Sequence, residues 1–408
     1  MRTTQHSTTQ PIIIIGGGMV GLSLALMLAQ AEIDVTLIEH IRYPQPDGDD
    51  VPYHSSFDAR NTALSRRSVQ IYRELGVWQH LQQHAAAIHQ VHISEQGGFG
   101  RARLIAEHEQ VENFGYVMEN AWFGRVLLQQ VRQSHRIQLL DDCQVMHLEQ
   151  DGETVYITAQ QHNQNIQLQA SLLIAADGRD SFCRQALGVG VDVHDYEQVA
   201  IVTTVQTSKA HQNIGFERFS QQGPLALLPL AQAHRRSVVW TVQKGTEQDW
   251  LGEHNDQRFL DALQHTYGDR AGVFEKTGKR FSYPLSQVLA HRQVVGRMVL
   301  MGNAAHTLHP VAGQGFNLCL RDADVLVRYL RHQQAQGLDF GDTQMLQHYE
   351  QSRLSDQKRV IQFCDTVVKT FSNPHQPTRL LRNLALIAFD SVPKVKPILA
   401  DYAMGLKA

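Results

Sequence analysis

Cysteine is scarce: the 408 residues hold four, Cys143, Cys183, Cys319 and Cys364, far apart and without the paired spacing of a zinc site. That excludes a disulfide-built scaffold and fits a reducing cytoplasm. An excess of either charge is also missing. Lys and Arg number 37 against 40 Asp and Glu, a net charge of −3, so nothing in the balance points to nucleic acid. No apolar run is long enough to span a bilayer. The uncharged apolar stretch 12–31 is split by three glycines and followed by Glu39 and Arg42, which excludes a signal peptide or membrane helix. The histidines include no His-Glu-x-x-His pair, so no metal is expected. Neither a Ser-His-Asp set nor a carboxylate pair stands out, and no internal repeat or low-complexity segment interrupts the chain.

What is present is concentrated between Pro11 and His40. Ile12-Ile13-Ile14-Ile15 reads as a strand buried on both faces, as in a parallel sheet. Gly16-Gly17-Gly18-Met19-Val20-Gly21 follows at once, then an apolar helix over 19–30, then Val35-Thr36-Leu37-Ile38-Glu39. Gly16 makes the tight turn, Gly18 lets backbone approach a pyrophosphate, and Gly21 lets the helix pack close on the strand. A helix N-terminus offers unpaired N–H groups and about half a positive charge to an anion. An acid about 20 residues on, here Glu39, suits a ribose hydroxyl.

Further along, 43–53 is an exposed loop, and Val69, Tyr72, Leu75 and Val77 keep helical spacing up to Gly76. Residues 91–105 and 114–118 read as short strands, and a helix follows Asn120. Over 143–174 the pattern is antiparallel, with Asp151-Gly152 as a hairpin turn. A strand ends at Asp177-Gly178, and Ser181 is placed to cap a short helix. Short strands between 199 and 242 suggest a separate antiparallel sheet, and a helix is expected near 256–267. Residues 294–301 read as one buried strand running into Gly302-Asn303-Ala304-Ala305-His306-Thr307-Leu308-His309-Pro310. Gly313-Gln314-Gly315 then opens a helix from Phe316 to His332.

This second strand–loop–helix implies a domain built from both ends of the chain. The expected fold is α/β. A Rossmann-like domain with a parallel sheet takes residues 1–80, 120–195 and 290–340. A β-sheet substrate domain takes 81–119 and 196–289, and a helical region takes 341–408. Residues 379–390 are apolar with basic flanks, a pattern for a helix lying on a membrane or packing on its own chain.

Three motifs carry a resemblance: Gly16-x-Gly18-x-x-Gly21 with Glu39; Asp177-Gly178-x-x-Ser181-x-x-Arg184; and Gly302 to Pro310 with Gly313-Gln314-Gly315-x-Asn317. In this order, from residue 11 to about 400, the chain resembles the flavin-dependent aromatic hydroxylases of the para-hydroxybenzoate hydroxylase class. Asp58-x-Arg60-x-x-Ala63-Leu64-Ser65, Leu75-Gly76-Val77-Trp78 and Gly223-Pro224-x-Ala226-x-Leu228-Pro229-Leu230 resemble the ubiquinone-biosynthesis branch. Asn303, where the family mostly has aspartate, resembles its 2-octaprenyl-6-methoxyphenol hydroxylase subgroup.

The resemblance implies FAD. Gly16, Gly18, Met19, Val20 and Gly21 would hold its pyrophosphate and Glu39 its adenosine ribose. Arg60, Arg125, Asp177, Gly302 and Asn303 would lie near pyrophosphate or ribitol. Pro310, Gly313, Gln314, Gly315, Phe316 and Asn317 would lie beside the isoalloxazine, with His309 and Pro310 as catalytic candidates. It further implies reduction by NAD(P)H, a C4a-hydroperoxide formed with O2, and a polyprenyl phenol as substrate, with no nucleic acid. A ubiquinone-biosynthesis assembly, the inner-membrane surface and a homo-oligomer are the partners it leaves open. The alternatives are another ring position or aromatic substrate, and a flavin-binding component without catalysis. A flavin-dependent reductase or halogenase shares the fold, but Trp240 and Trp250 form no halogenase motif. His306 and His309 also suit a structural reading, and Cys319 suits packing.

Overall fold

The computed structural model describes residues 9–44, 60–220, 222–371, 382–384 and 386–387. A parallel sheet forms its centre, in the order Met298–Leu300, Gln164–Ala175, Thr9–Ile15, Val35–Ile38, Ile137–Leu140. The isoleucine run is buried because it lies mid-sheet with both faces covered. Ile12 and Ile14 pack under the helices Met19–Gln30, Asn120–Gln133 and Gln314–Gln336. Ile13 and Ile15 pack under the hairpin Cys143–Gln150/Val155–Gln161. Burying such side chains contributes roughly 1.5–3 kcal/mol each.

The strand Gln164–Ala175 has two partners in succession. Its first half pairs antiparallel with Val155–Gln161 and its second half parallel with Thr9–Ile15. The expected turn at Asp151 is made by its own carboxylate, whose Oδ1 accepts the N–H groups of Glu153 (2.8 Å) and Thr154 (2.7 Å). Ser181 caps the helix Phe182–Ala186, accepting the Arg184 N–H at 2.9 Å.

One strand expectation is corrected. Residues 294–301 fold as two short antiparallel strands, Val294–Val295 and Met298–Leu300. Gly296, at φ +58°, turns the chain between them. The Arg297 side chain is drawn inward by the carbonyls of Gly152 (2.9 Å) and Ser171 (3.1 Å).

The second sheet has nine strands. Its path is His306–Thr307, Phe281–Ala290, Val191–Thr207, Arg235–Gln243, Pro224–Pro229, Ile214–Phe219, Gln90–Glu95, Arg101–Ile105, with Phe274–Thr277 beside Val191–Thr207. It is not wholly antiparallel as expected: Ile214–Phe219 runs parallel to Gln90–Glu95, because the latter arrives from the early part of the chain. Gly115–Glu119, expected here, instead pairs with Asn61–Ser65 in a small three-stranded sheet. The helix Asp256–Tyr267 covers one face with Phe259 and Leu263 against Phe216 and Trp240.

The helical tail is realised as Thr343–Phe371. Much of 379–390 lies outside the described residues, as do Asp58 and the loop 45–53. Within 382–387, Arg382 and Asn383 are buried against the second sheet, while Leu384 (49%) and Ile387 (40%) are exposed. No helix among the described residues is long and apolar enough to cross a membrane.

Gly21 is where the helix and first strand meet most closely: a Cβ there would lie 1.9 Å from the Gly16 carbonyl oxygen. That neighbour is backbone and cannot rotate away. Gly21→Ala should therefore cost at least about 1–3 kcal/mol and lower the melting temperature by several degrees. An unchanged melting temperature would mean that the helix does not sit this close.

Candidate cofactor and active site

Three adjacent parallel strands run out at one level, since Ile15 pairs with Ala175 and Ala175 with Leu300. The loops that follow them open side by side at the carboxyl edge, where open α/β sheets bind ligands. They are in close contact. A Cβ on Gly16 would stand 2.3 Å from the Ala176 carbonyl oxygen, and one on Gly302 3.4 Å from Val20.

In the first loop Gly18 differs from its neighbours. A Cβ at Gly16, Gly17 or Gly21 would collide with the protein, but at Gly18 it would meet nothing within 4 Å. This opening lies at the N-terminus of Met19–Gln30, which no side chain caps. Glu39 is 2% exposed. Its Oε2 accepts the Gly17 N–H at 2.6 Å and its Oε1 the Ile41 N–H at 3.0 Å. It therefore braces the loop, a role the sequence reading missed, and Oε2 keeps an acceptor position for a hydroxyl. Tyr43, also missed, donates its hydroxyl to the Gly17 carbonyl. Burial, reinforced by the Glu39 charge, raises its pKa and keeps it a donor.

In the second loop Asp177 Oδ2 accepts the Cys183 N–H at 3.0 Å, while the buried Oδ1 has no partner. An orphaned buried carboxylate oxygen is costly and fits a hydroxyl donor supplied by a ligand. Arg184 ties this loop to the third. Its guanidinium donates to the carbonyls of Ala304 (3.0 Å) and Arg179 (2.8 Å).

The third segment leaves Asn303 and Pro310 exposed and is hydrogen-bonded to the second sheet through His306–Thr307. The helix Gln314–Gln336 starts from Gly313, at φ +61°, with no side-chain cap, so a second free N-terminus faces the same edge. The side chain of Asn317 positions the loop. Its Oδ1 accepts from the Ser65 N–H (2.8 Å) and Ser68 Oγ (2.7 Å), and its Nδ2 donates to the carbonyls of Ala63 and Gly313 (both 2.8 Å). All four hydrogen-bonding positions of its carboxamide are used. Phe316 likewise packs edge-on against Phe123, ring centroids 5.4 Å apart. Gln314 is buried, and Met19, Val20 and Gly315 are partly buried at the loop mouths.

The two histidines differ. His309 is 1% exposed, its ring edge-on to Tyr196. Burial lowers its pKa to about 4, and Nδ1 accepts the Val311 N–H at 3.2 Å. A neutral, enclosed imidazole holds the turn through Nδ1, while its buried Nε2 has no partner among the described residues. His306 is paired with Asp322 at 2.7 Å, and Asp322 with Arg353 at 2.6 Å. Burial opposes its charge, but the Cys319 sulfur and the Asp322 carboxylate prevail and raise its pKa to about 10. Arg60 stacks over Tyr283 at 4.8 Å, reaching the second sheet, and Arg125 lies 5.7 Å from the Trp122 ring on its own helix.

A His whose folded pKa is raised stabilises fully below its unfolded value, near 6.5, and loses that contribution as pH rises through about 10. His306→Gln should therefore unfold at lower denaturant than wild type at pH 6, and the gap should close by pH 10. A gap independent of pH would mean that His306 is neutral.

The opening at Gly18, the two uncapped helix N-termini and the free oxygen of Asp177 form one extended donor and acceptor set, which fits a long dinucleotide. The FAD binding domain family matches residues 9–364. Ubiquinone hydroxylase UbiL of Rhodospirillum rubrum is 32% identical over 399 residues, covering 97% of this chain and 89% of the relative. The 3-demethoxyubiquinol 3-hydroxylase of Escherichia coli is 31% identical over 414 residues, covering 98% and 100%. Among solved structures, p-nitrophenol 4-monooxygenase PnpA of Pseudomonas putida shares the fold with a TM-score of 0.80 at 17% identity, over 98% of this chain and 100% of that one. The chain belongs to the FAD binding domain family, in its ubiquinone-biosynthesis branch of flavin-dependent hydroxylases, and its cofactor is FAD.

Proposed function

We propose that this chain is an FAD-dependent monooxygenase that hydroxylates the ring of a polyprenyl phenol in ubiquinone biosynthesis, using O2 and NAD(P)H. The observation that carries this is the convergence of three loops on one sheet edge, with a second sheet held over them. Asn61 Nδ2 donates to Ser237 Oγ across the gap at 2.8 Å, and Ala63 and Leu228 pack against one shared apolar cluster. The relatives in the same branch supply the substrate class.

Gly16, Gly18, Met19, Val20 and Gly21 would hold the pyrophosphate through backbone and helix dipole, with Glu39 on the adenosine ribose. Arg60, Arg125, Asp177, Gly302 and Asn303 would serve the pyrophosphate and ribitol. Pro310, Gly313, Gln314 and Gly315 would meet the ring system through backbone, positioned by Asn317 and Phe316. Bound FAD, reduced by NAD(P)H, supplies the oxygen-activating chemistry. The protein orients the phenol and keeps water out with the apolar residues Val202, Val239 and Ala226.

A membrane-borne phenol needs a route to this site. Phe99 (58% exposed), Leu384 and Ile387 stand together because Asn383 Oδ1 accepts the Gly100 N–H at 2.7 Å and Arg382 pairs with Glu95 at 2.6 Å. Arg101 and Arg103 are exposed close by. This apolar, basic-edged surface suits a peripheral contact with an anionic bilayer.

The purified protein should carry about one FAD per chain, and a phenol should stimulate NAD(P)H oxidation with incorporation of labelled O2. FAD without phenol-dependent turnover would leave a flavin-binding component of an assembly. Gly18→Val should abolish flavin binding, and Glu39→Ala should weaken it by roughly 10- to 100-fold or more, measured by flavin fluorescence. Undiminished FAD in both would move the nucleotide elsewhere.

Replacing Phe99, Leu384 and Ile387 by Ser should reduce co-sedimentation with anionic liposomes while a short-chain phenol is still hydroxylated. Unchanged sedimentation would place the contact on another surface.

A further inference from the structure

The second sheet has two unlike faces. One lies under the helix Asp256–Tyr267. The other looks toward the flavin-side loops. Ser237 on that face touches Asn61, Leu228 and Ala63 pack against one shared apolar cluster, and Ala63 lies 3.3 Å from where a Cβ on Gly313 would be. Cross-strand pairing aligns Ile93, Glu217, Ala226, Val239 and Val202 in one row across this face. Four members of the row are aliphatic. The fifth, Glu217, is a carboxylate among them.

Glu217 has no hydrogen-bond or ion-pair partner among the described residues, yet it is only partly buried. The other carboxylate on this face, Glu95, is held by Arg382 and Asn383. Tyr283 on the same face lies under Arg60. The facing strand Asn61–Ser65 carries no titratable side chain, and His309 in the facing loop is neutral. Across the sheet stand Arg218, Arg236 and Tyr267, on the far side of the backbone from the row. Burial among apolar neighbours pushes Glu217 up to about 7.

We propose that Glu217 is a catalytic residue that takes the proton of the substrate's phenol hydroxyl. This rests on the hydroxylase reading above. The phenol O–H bond breaks, its proton passes to a Glu217 carboxylate oxygen, and the electron pair stays on the phenol oxygen. The resulting phenolate donates electron density to the ortho and para ring carbons, which are the positions an electrophilic oxygen attacks. An ordinary carboxylate, near 4.3, is a weak base toward a phenol near 10. A carboxylate raised toward neutrality is better matched and is ionised in about half of the molecules near pH 7.

The stability consequence runs the other way. An acid whose folded pKa exceeds its unfolded value makes the native state less stable as pH rises from about 4.3 through about 7. Glu217→Gln removes that cost, so it should gain stability while losing activity.

The test uses the FAD-loaded protein with a short-chain methoxyphenol. Wild-type kcat/KM should rise with pH through about 7 and level off. Glu217→Gln should lower kcat/KM by roughly 100-fold or more, lose the rise near pH 7, keep its FAD, and melt at a higher temperature than wild type at pH 8. A variant that keeps wild-type kcat/KM and its pH profile overturns the role of Glu217 and leaves the hydroxylase reading standing. A wild type that binds FAD and oxidises NAD(P)H no faster with phenol overturns the hydroxylase reading itself. If Glu217→Gln fails to hold FAD, Glu217→Asp is read instead: it keeps the acid but withdraws it by one methylene. Retained FAD with a lost rate then supports the role, and a wild-type rate overturns it.

Discussion

The site depends on one register. Thr9–Ile15, Gln164–Ala175 and Met298–Leu300 are parallel neighbours that end together. Parallel pairing sends all three loops out of the same edge, and equal ends put them at one height. A slip of one residue in any strand would turn its core side chains to the opposite face and displace its loop. The specific hydrogen bonds of the site then work over short distances: Glu39 under Gly17, Arg184 between the second and third loops, and Asn317 between the third loop and Ser65.

The polar groups that complete this arrangement are not cheap. His306, Asp322, Arg353, Asp356 and Arg321 form a buried chain of ion pairs between the third loop and the helix Thr343–Phe371. Such chains return little net stability after desolvation, but breaking one leaves a charge unpaired in the interior. Their effect is to admit one orientation of the loop on the helices. The same logic explains the asymmetry between the histidines. The one with a buried acid beside it carries charge, and the one among Tyr196, Leu308 and Val311 does not.

Local signals in the sequence were dependable here. The isoleucine run, the glycine loop, the Ser181 cap and the Asp151 turn are each decided by a few neighbouring residues, and all formed as read. What stayed hidden was set by partners far along the chain. The bracing role of the Asn317 side chain is invisible until Ser65, 252 positions away, is found at its oxygen. Residues 294–301 read as one strand because apolar composition outweighs a single glycine in a window, while the turn at Gly296 depends on Gly152 and Ser171 drawing Arg297 inward. Glu217 gives no sign of its own, because alternation shows that Phe216 and Glu217 face opposite ways without saying what lies on each side.

The discontinuous first domain bears on how the chain is made. Thr9–Ile15 leaves the ribosome long before its parallel neighbour Gln164–Ala175. At roughly 5–20 residues per second the interval is about 8–30 seconds, and Met298–Leu300 arrives later still. Throughout that time a strand of consecutive isoleucines has an unpaired edge, the kind of surface that recruits other chains. Val35–Ile38 can pair with it early, but only on one side. Protection of the nascent isoleucine strand by a chaperone would therefore govern the yield of folded protein, independently of how stable the finished fold is.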